Sequence, residues 1–183
     1  MSIIDRIVEE PPFRLLSYFV VKRFAKSVRT LDRWGAFERP HYFAGVLAAA
    51  DQALKEKVPE ISVFEFGVAG GGGLVALQTC AALVEQETGV KIRVFGFDTG
   101  EGLPNLNNDY RDHPDQWRAS DYRMDVPKLQ QRLSSRTELR LGKIADTLPK
   151  FVAENPPPTG FVACDVDLYS STKDMLRILT LPG

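Results

Sequence analysis

The sequence predicts an α/β domain with a doubly wound, mostly parallel sheet behind a helical N-terminal segment. Three observations carry this expectation. From residue 61 onward, short apolar segments alternate with helical patterns, the rhythm of βαβ units joined by right-handed crossovers. The first of these segments runs into "VFEFGVAGGGGL" at residues 63–74, a strand followed by glycines and then a helix, which is where such sheets bind ligands. Two later segments end in acids, Asp98 and Asp165.

The elements follow in order. Residues 1–60 form the helical segment. From Phe13 the apolar positions Leu16, Phe19, Val20, Phe24, Val28 and Leu31 recur at three and four, with Lys22, Arg23 and Lys26 opposite. One apolar stripe suffices for packing on the domain or on a second subunit, so that reading is preferred to a basic membrane-surface helix. Pro40 starts a second helix, with Phe43, Val46, Leu47, Ala50 and Leu54 on its stripe and Pro59 at its end. The α/β domain occupies 61–183. Strands are expected at 61–66, 92–98, 138–141 and 161–165, and helices at 74–87 and 127–133. A further helix begins near Asp146 and Thr147 with Pro149 in its first turn, and a last one begins at Ser171 with Asp174 completing a capping box. Residues 99–125, rich in Gly, Pro, Asn and Asp, read as a long loop. The chain stops at Gly183, just after the helix that would deliver a fifth strand, so a domain truncated after the fourth strand and its helix is expected.

Composition narrows the functional classes. The 183 residues are 44% hydrophobic and 26% charged, as in soluble globular domains. A net charge of −1 gives no electrostatic basis for nucleic-acid binding. The two cysteines, Cys80 and Cys164, form no C-x-x-C pair and read as thiols of a reducing compartment. No apolar run near the start is long enough to span a bilayer, and no signal peptide is recognised, so a cytoplasmic protein without membrane partners is expected.

The glycine run is costly. Each glycine adds unfolded-chain entropy of roughly 0.4–1 kcal/mol relative to alanine, so Gly70 to Gly73 forgo on the order of 2–4 kcal/mol. A tight turn would need one or two glycines, which points to a ligand. A P-loop requires Lys and Ser/Thr where Gly73 and Leu74 stand. A dinucleotide fingerprint would have glycine where Ala69 stands. Glu65 discriminates further: a carboxylate at the strand end repels a pyrophosphate and suits a cationic, phosphate-free ligand such as S-adenosylmethionine. Asp98, ending the second strand, is placed to accept hydrogen bonds from ribose hydroxyls, as in dinucleotide folds also.

With these residues in view, the segment from Glu65 to Gly71 resembles the acid-x-Gly-x-Gly/Ala-x-Gly signature of class I S-adenosylmethionine-dependent methyltransferases. "GFDTGEGLP" at 96–104, "LGKIADTLP" at 141–149 and "DVDLYSST" at 165–172 look like further signatures of the macrocin O-methyltransferase-like family, so the resemblance covers about residues 61–180. It implies a Rossmann-like methyltransferase fold and donor contacts from Glu65, Gly67, Ala69 and Gly70, with Gly71, Asp98 and Thr99 completing the set. It also implies a divalent metal. Asp165-Val166-Asp167 suits Mg²⁺, which takes one or two carboxylates and could lower the pKa of an acceptor hydroxyl; Asp165 is the better first ligand and Asp167 a ligand or a loop-orienting residue. The family's Asp-Asp pair after its fifth strand lies beyond this chain, so an incomplete metal site is expected.

The expected function is O-methylation of a hydroxyl on a sugar or other small natural product. No general base is assigned. His113 reads as a solvated loop residue and His41 as a helix-start residue, while Tyr110, Arg111, Asp112 and Trp117 are placed either to cover the ligand or to tie down a surface excursion. Three other readings stand beside this one. A metal-dependent glycosyltransferase would use D-x-D but leaves Glu65 and the glycines unaccounted for. A non-catalytic domain could bind S-adenosylmethionine or a partner, and an NAD-dependent oxidoreductase is the most distant. The N-terminal helices are the expected surface for a homo-oligomer.

Overall fold

The computed structural model describes residues 10–106 and 109–180. Residues 1–9 of the expected N-terminal segment and 181–183 at the other end lie outside the described residues. Four strands, β1 (Glu60–Phe66), β2 (Lys91–Asp98), β3 (Thr137–Leu141) and β4 (Thr159–Cys164), form one sheet in the order β3-β2-β1-β4. Every pairing is parallel. The order reverses between β1 and β4, so a crevice opens at the carboxyl ends of the strands beside β1, the topological switch point of a doubly wound sheet.

β1 is buried at six successive residues, as a central parallel strand covered on both faces must be. Alternation then sorts its side chains. Ile61 and Val63 face a layer made by α3 (Pro40–Glu56) and α4 (Gly72–Thr88), packing with Phe43, Val46, Leu47, Leu77 and Val84. Phe64 and Phe66 face the other way, with Phe95 and Phe97 of β2, onto α6 (Ile144–Ala153). The four phenylalanines stack in pairs across the strands, Phe64 on Phe95 at 5.5 Å and Phe66 on Phe97 at 4.8 Å, and Phe151 of α6 meets Phe95 edge-on at 4.6 Å. By this alternation Glu65 belongs to the α3/α4 face, in a row otherwise filled by hydrophobic residues.

The expected single stripe from Phe13 to Leu31 is two helices, α1 (Phe13–Phe24) and α2 (Val28–Arg33). Ser27 ends the run because its side chain accepts a hydrogen bond from the Thr30 N–H and so starts α2 afresh. α2 is held on α3 by a two-pronged Arg29–Asp51 ion pair at 2.9 and 2.7 Å. α1 buries none of its residues, with Leu15, Leu16 and Phe24 67%, 68% and 69% exposed, whereas Val28 of the same expected stripe, at the start of α2, is buried in the core. On α3, Leu54 is likewise exposed, and Ala53 takes the inner position in its place.

Three helix starts differ from expectation. α5 spans Val126–Gln130, with Asp125 accepting from the Lys128 N–H at its start. α6 begins at Ile144, two residues before Asp146, so Pro149 lies inside the helix. α7 (Tyr169–Met175) begins before Ser171, so Ser171 is not its cap. The cap comes from outside the local sequence: Asp112, in a 3₁₀ turn at Tyr110–Asp112 of the long loop, accepts from the Ser170 N–H at 2.8 Å.

The aromatic layer under α6 gives a direct test of this architecture. Phe151→Ala removes a side chain that is 1% exposed and in contact with Phe64, Phe95 and Phe97. It is expected to lower stability by about 3–5 kcal/mol, read as a lower urea midpoint at unchanged slope.

Candidate functional site

A cavity of about 600 Å³ opens at the switch point, within the range of small-molecule sites. Its walls come from the loops after all four strands. Glu65, Gly67, Ala69 and Gly70 come from β1 and the turn after it, with Asp98 and Thr99 from the β2 end on one flank and Asp165 and Asp167 from the β4 end on the other. The sequence-expected residues therefore converge, with one exception. Gly71 is not part of the lining: a Cβ there would run into the Leu129 side chain of α5, so this glycine serves packing and the turn into α4.

The other glycines divide by what they face. Gly67 has φ +85°, and a Cβ on it would overlap the Asp165 backbone, which is pinned there because the Asp165 N–H donates to the Phe66 carbonyl at 2.8 Å. At Gly73, in the first turn of α4, a Cβ would occupy the place of the Glu65 carboxyl. Gly70 and Gly72 have nothing within 4 Å of a Cβ position and line the cavity. Two glycines thus make the fold close, one makes room for an acid, and two leave backbone bare towards a ligand.

Glu65 is 1% exposed. In register it lies between Gly96 on β2 and Ala163 on β4, and it is Gly73 of α4 whose missing side chain leaves the carboxyl its space. Oε1 accepts from the Tyr42 hydroxyl at 2.8 Å, and Oε2 has no hydrogen-bond partner. A buried carboxylate with one bare oxygen is expensive to ionise. Burial accordingly pushes the Glu65 carboxyl up to about 7, against the opposing pull of the Tyr42 bond and the Arg39 charge. Tyr42 is raised in turn, by burial first and then by its bond to Glu65.

Asp98 has a role beyond the expected one. Its Oδ2 accepts from the N–H groups of Val68 and Ala69 at 2.8 and 2.9 Å, and its Oδ1 accepts from Gly100 at 2.7 Å. It holds the glycine loop, including Ala69 at φ +46°, in place. A carboxylate has about four acceptor positions, so one remains for a ligand hydroxyl.

No third metal ligand joins the Asp165–Asp167 pair among the described residues. The Asp165 side chain is 62% exposed, and the Arg39 guanidinium lies 3.8 Å from its Oδ2. Asp167 is exposed as well, its carboxyl pushed up by partial burial and then by the Asp165 charge. Among the described residues no three His, Cys, Asp or Glu side chains come together to hold a metal ion. Both carboxylates are open, and the one on Asp165 already has a cation beside it, so the described residues offer at most two ligands to the expected ion.

Several lining residues had no signal in the sequence: Arg39 at the start of α3, Tyr122 from the long loop, and Lys143 before α6. They are brought in by tertiary packing. In the long loop, Tyr110, His113 and Trp117 do not line the cavity. Arg111 lies over the Tyr169 ring at 4.0 Å and bonds its hydroxyl at 3.0 Å, so with Asp112 it fastens this loop to the start of α7. His41 and His113 are both exposed. Among the described residues no helix is long and apolar enough to cross a membrane.

The raised Glu65 carboxyl has a thermodynamic consequence. Between its ordinary value of 4.5 and about 7 the folded state holds more protons than the unfolded one, so stability falls as pH rises through that window. The loss is on the order of 3 kcal/mol. Glu65→Gln is expected to lack this slope, so that its stability relative to wild type increases from pH 5 to pH 8.5 in parallel denaturant titrations. Identical pH profiles for the two proteins would contradict the burial argument.

No protein-family model matches this chain, and no curated protein matches it. Among solved structures, the chain resembles the crystal structure of CalS11, calicheamicin methyltransferase, with a TM-score of 0.58 and 22% identity, over 93% of this chain and 74% of that one. The apo structure of CalS11, described as a TDP-rhamnose 3'-O-methyltransferase of calicheamicin biosynthesis, aligns with a TM-score of 0.44 at 22% identity, over 93% and 73%. With its parallel sheet, its glycine turn after β1 and its cavity at the switch point, this chain has a Rossmann-like α/β fold, which it shares with that methyltransferase structure.

Proposed function

We propose that this chain binds S-adenosylmethionine and transfers its methyl group to a hydroxyl of a small molecule, a sugar or other natural product. The observation that carries the reading is Glu65 Oε2: a buried carboxylate oxygen without a partner, on a residue that lines the cavity beneath bare glycine backbone. An anion in that position favours a ligand carrying positive charge and disfavours a diphosphate. The likeness of fold to a methyltransferase points the same way.

When bound, the donor supplies a sulfonium methyl that passes to the acceptor oxygen as the carbon–sulfur bond breaks onto sulfur. The chain's own contributions are binding and orientation. Glu65 receives the donor's ammonium through Oε2. Gly70 and Gly72 allow close backbone approach, and the fourth acceptor position of Asp98, with Thr99 beside it, serves ribose hydroxyls. Asp165 and Arg39 stand at the open side, where an acceptor hydroxyl enters, and no side chain is assigned as the base. This domain is read as acting in the cytoplasm on a small-molecule acceptor, with the apolar face of α1 packing against a second copy.

Equilibrium binding tests the donor. S-adenosylmethionine and its demethylated product are expected to bind in the micromolar range, and NAD and nucleotide sugars are not. Gly70 adopts a backbone conformation open to any residue, and its Cβ position is free. Gly70→Val should therefore keep its melting temperature while losing roughly tenfold or more in donor affinity. Tight NAD binding, or a Gly70→Val protein that binds S-adenosylmethionine like wild type, would overturn the assignment. Methyl transfer to a panel of sugar and phenol hydroxyls then separates an enzyme from a binding domain.

A further inference from the structure

Tyr42 reaches the site from a segment outside the strand-end loops. It lies in the first turn of α3 and is 3% exposed. Its hydroxyl makes two contacts: it donates to Glu65 Oε1 at 2.8 Å, and it accepts from Arg39 Nη1 at 3.3 Å. Its ring is fixed by neighbours on several sides, with the Arg39 guanidinium 5.0 Å from its centre, His41 edge-on at 4.8 Å and Phe161 of β4 at 5.9 Å. Arg39 in turn lies 3.8 Å from Asp165. A chain of polar contacts therefore runs from the loop after β4, through Arg39 and Tyr42, to the carboxyl that sits under the glycine turn.

We propose that Tyr42 is a positioning residue for the donor: by occupying Oε1 of Glu65 from behind, it aims the bare Oε2 at the cavity and keeps the carboxyl in the ionised form that receives an ammonium. This rests on the proposed binding of S-adenosylmethionine. The geometry makes the division of labour necessary. Gly73 on α4 lies against the carboxyl, and the register neighbours of Glu65 are Gly96 on β2 and Ala163 on β4; none of the three offers a side-chain donor. Of the charged and titratable groups around it, Tyr42 and Arg39 come from α3, Asp98 from the end of β2 and Asp165 from the loop after β4. The two acids oppose ionisation of Glu65, as does burial, while the Tyr42 bond and the Arg39 charge favour it. Tyr42 is the only one of these groups in hydrogen-bond contact with the carboxyl among the described residues.

Two measurements on the full chain test this. The first follows the Glu65 side-chain carboxyl by ¹³C NMR in the ligand-free protein from pH 5.5 to 8.5. In Tyr42→Phe the midpoint should rise by about one pH unit. The second measures the affinity for S-adenosylhomocysteine, which carries the same ammonium, over the same range. Tyr42→Phe should bind roughly fivefold more weakly at pH 7 and recover to within about twofold at pH 8.5. A loss of packing alone would weaken binding equally at every pH and leave the NMR midpoint in place. Should Tyr42→Phe fail to fold, replacing Tyr42 by 3-fluorotyrosine, a stronger donor of the same shape, should move both midpoints down. An unmoved carboxyl midpoint overturns the positioning role whatever the ligand. A midpoint that moves in a protein with no affinity for S-adenosylhomocysteine overturns the donor reading, and the proposal's link to the donor with it. A midpoint that moves without a matching change in affinity overturns that link alone.

Discussion

The site depends on one buried charge. Alternation along β1 puts residue 65 in the row that faces α3 and α4, where Val63 and Ile61 are packed among hydrophobic side chains. A carboxylate there is unfavourable unless its surroundings are built for it. The local sequence serves that end: Gly73 is small because the carboxyl needs the volume, and Tyr42 supplies the hydrogen bond that the strands cannot. A protein optimised for stability alone would place a leucine or valine at this position. An acid there, with one oxygen unsatisfied, gives up stability, a cost that the proposed binding of a cationic donor would explain.

Much of this was legible in the sequence, for physical reasons that differ by element. The strands and the helix after the glycines are strongly patterned, and the parallel topology follows from their alternation. Glu65 stood out as a carboxylate at a strand end in front of glycines, but that it is buried with one bare oxygen was not readable. The glycine run was readable only in part. A string of identical residues does not say which of them faces a ligand, and Gly71 turned out to face Leu129 while Gly73 faces Glu65. Tyr42 and Arg39 were not readable at all, since they belong to a helix pattern in which nothing separates a core tyrosine from a functional one.

The misplaced caps show the limit of local signals. Ser171 and Asp146 look like good local caps, yet the helices start earlier. Local propensity was overridden by a long-range partner at α7, where Asp112 satisfies the Ser170 N–H from 58 residues away in sequence. This ties the long loop after β2 to the loop that carries Asp165 and Asp167. The Arg111–Tyr169 contact reinforces the joint. A loop that reads as an excursion is in this way part of the frame around the cavity. The N-terminal stripe failed differently: its periodicity correctly signals helix but cannot say what covers the apolar face, and α1 leaves that face open.

The contacts of Asp98 also bear on entropy. Its carboxylate gathers the N–H groups of Val68, Ala69 and Gly100, and the Gly142 N–H donates to its carbonyl at 2.9 Å. Turns following β1, β2 and β3 thus converge on one residue. Glycine-rich turns are ordinarily floppy, and a ligand that had to freeze one would lose affinity in doing so. Here the freezing is done in advance, during folding, by a side chain from the neighbouring strand. The cavity is preorganised, so the contacts of a small ligand go into affinity and orientation instead of into shaping the loop that receives it.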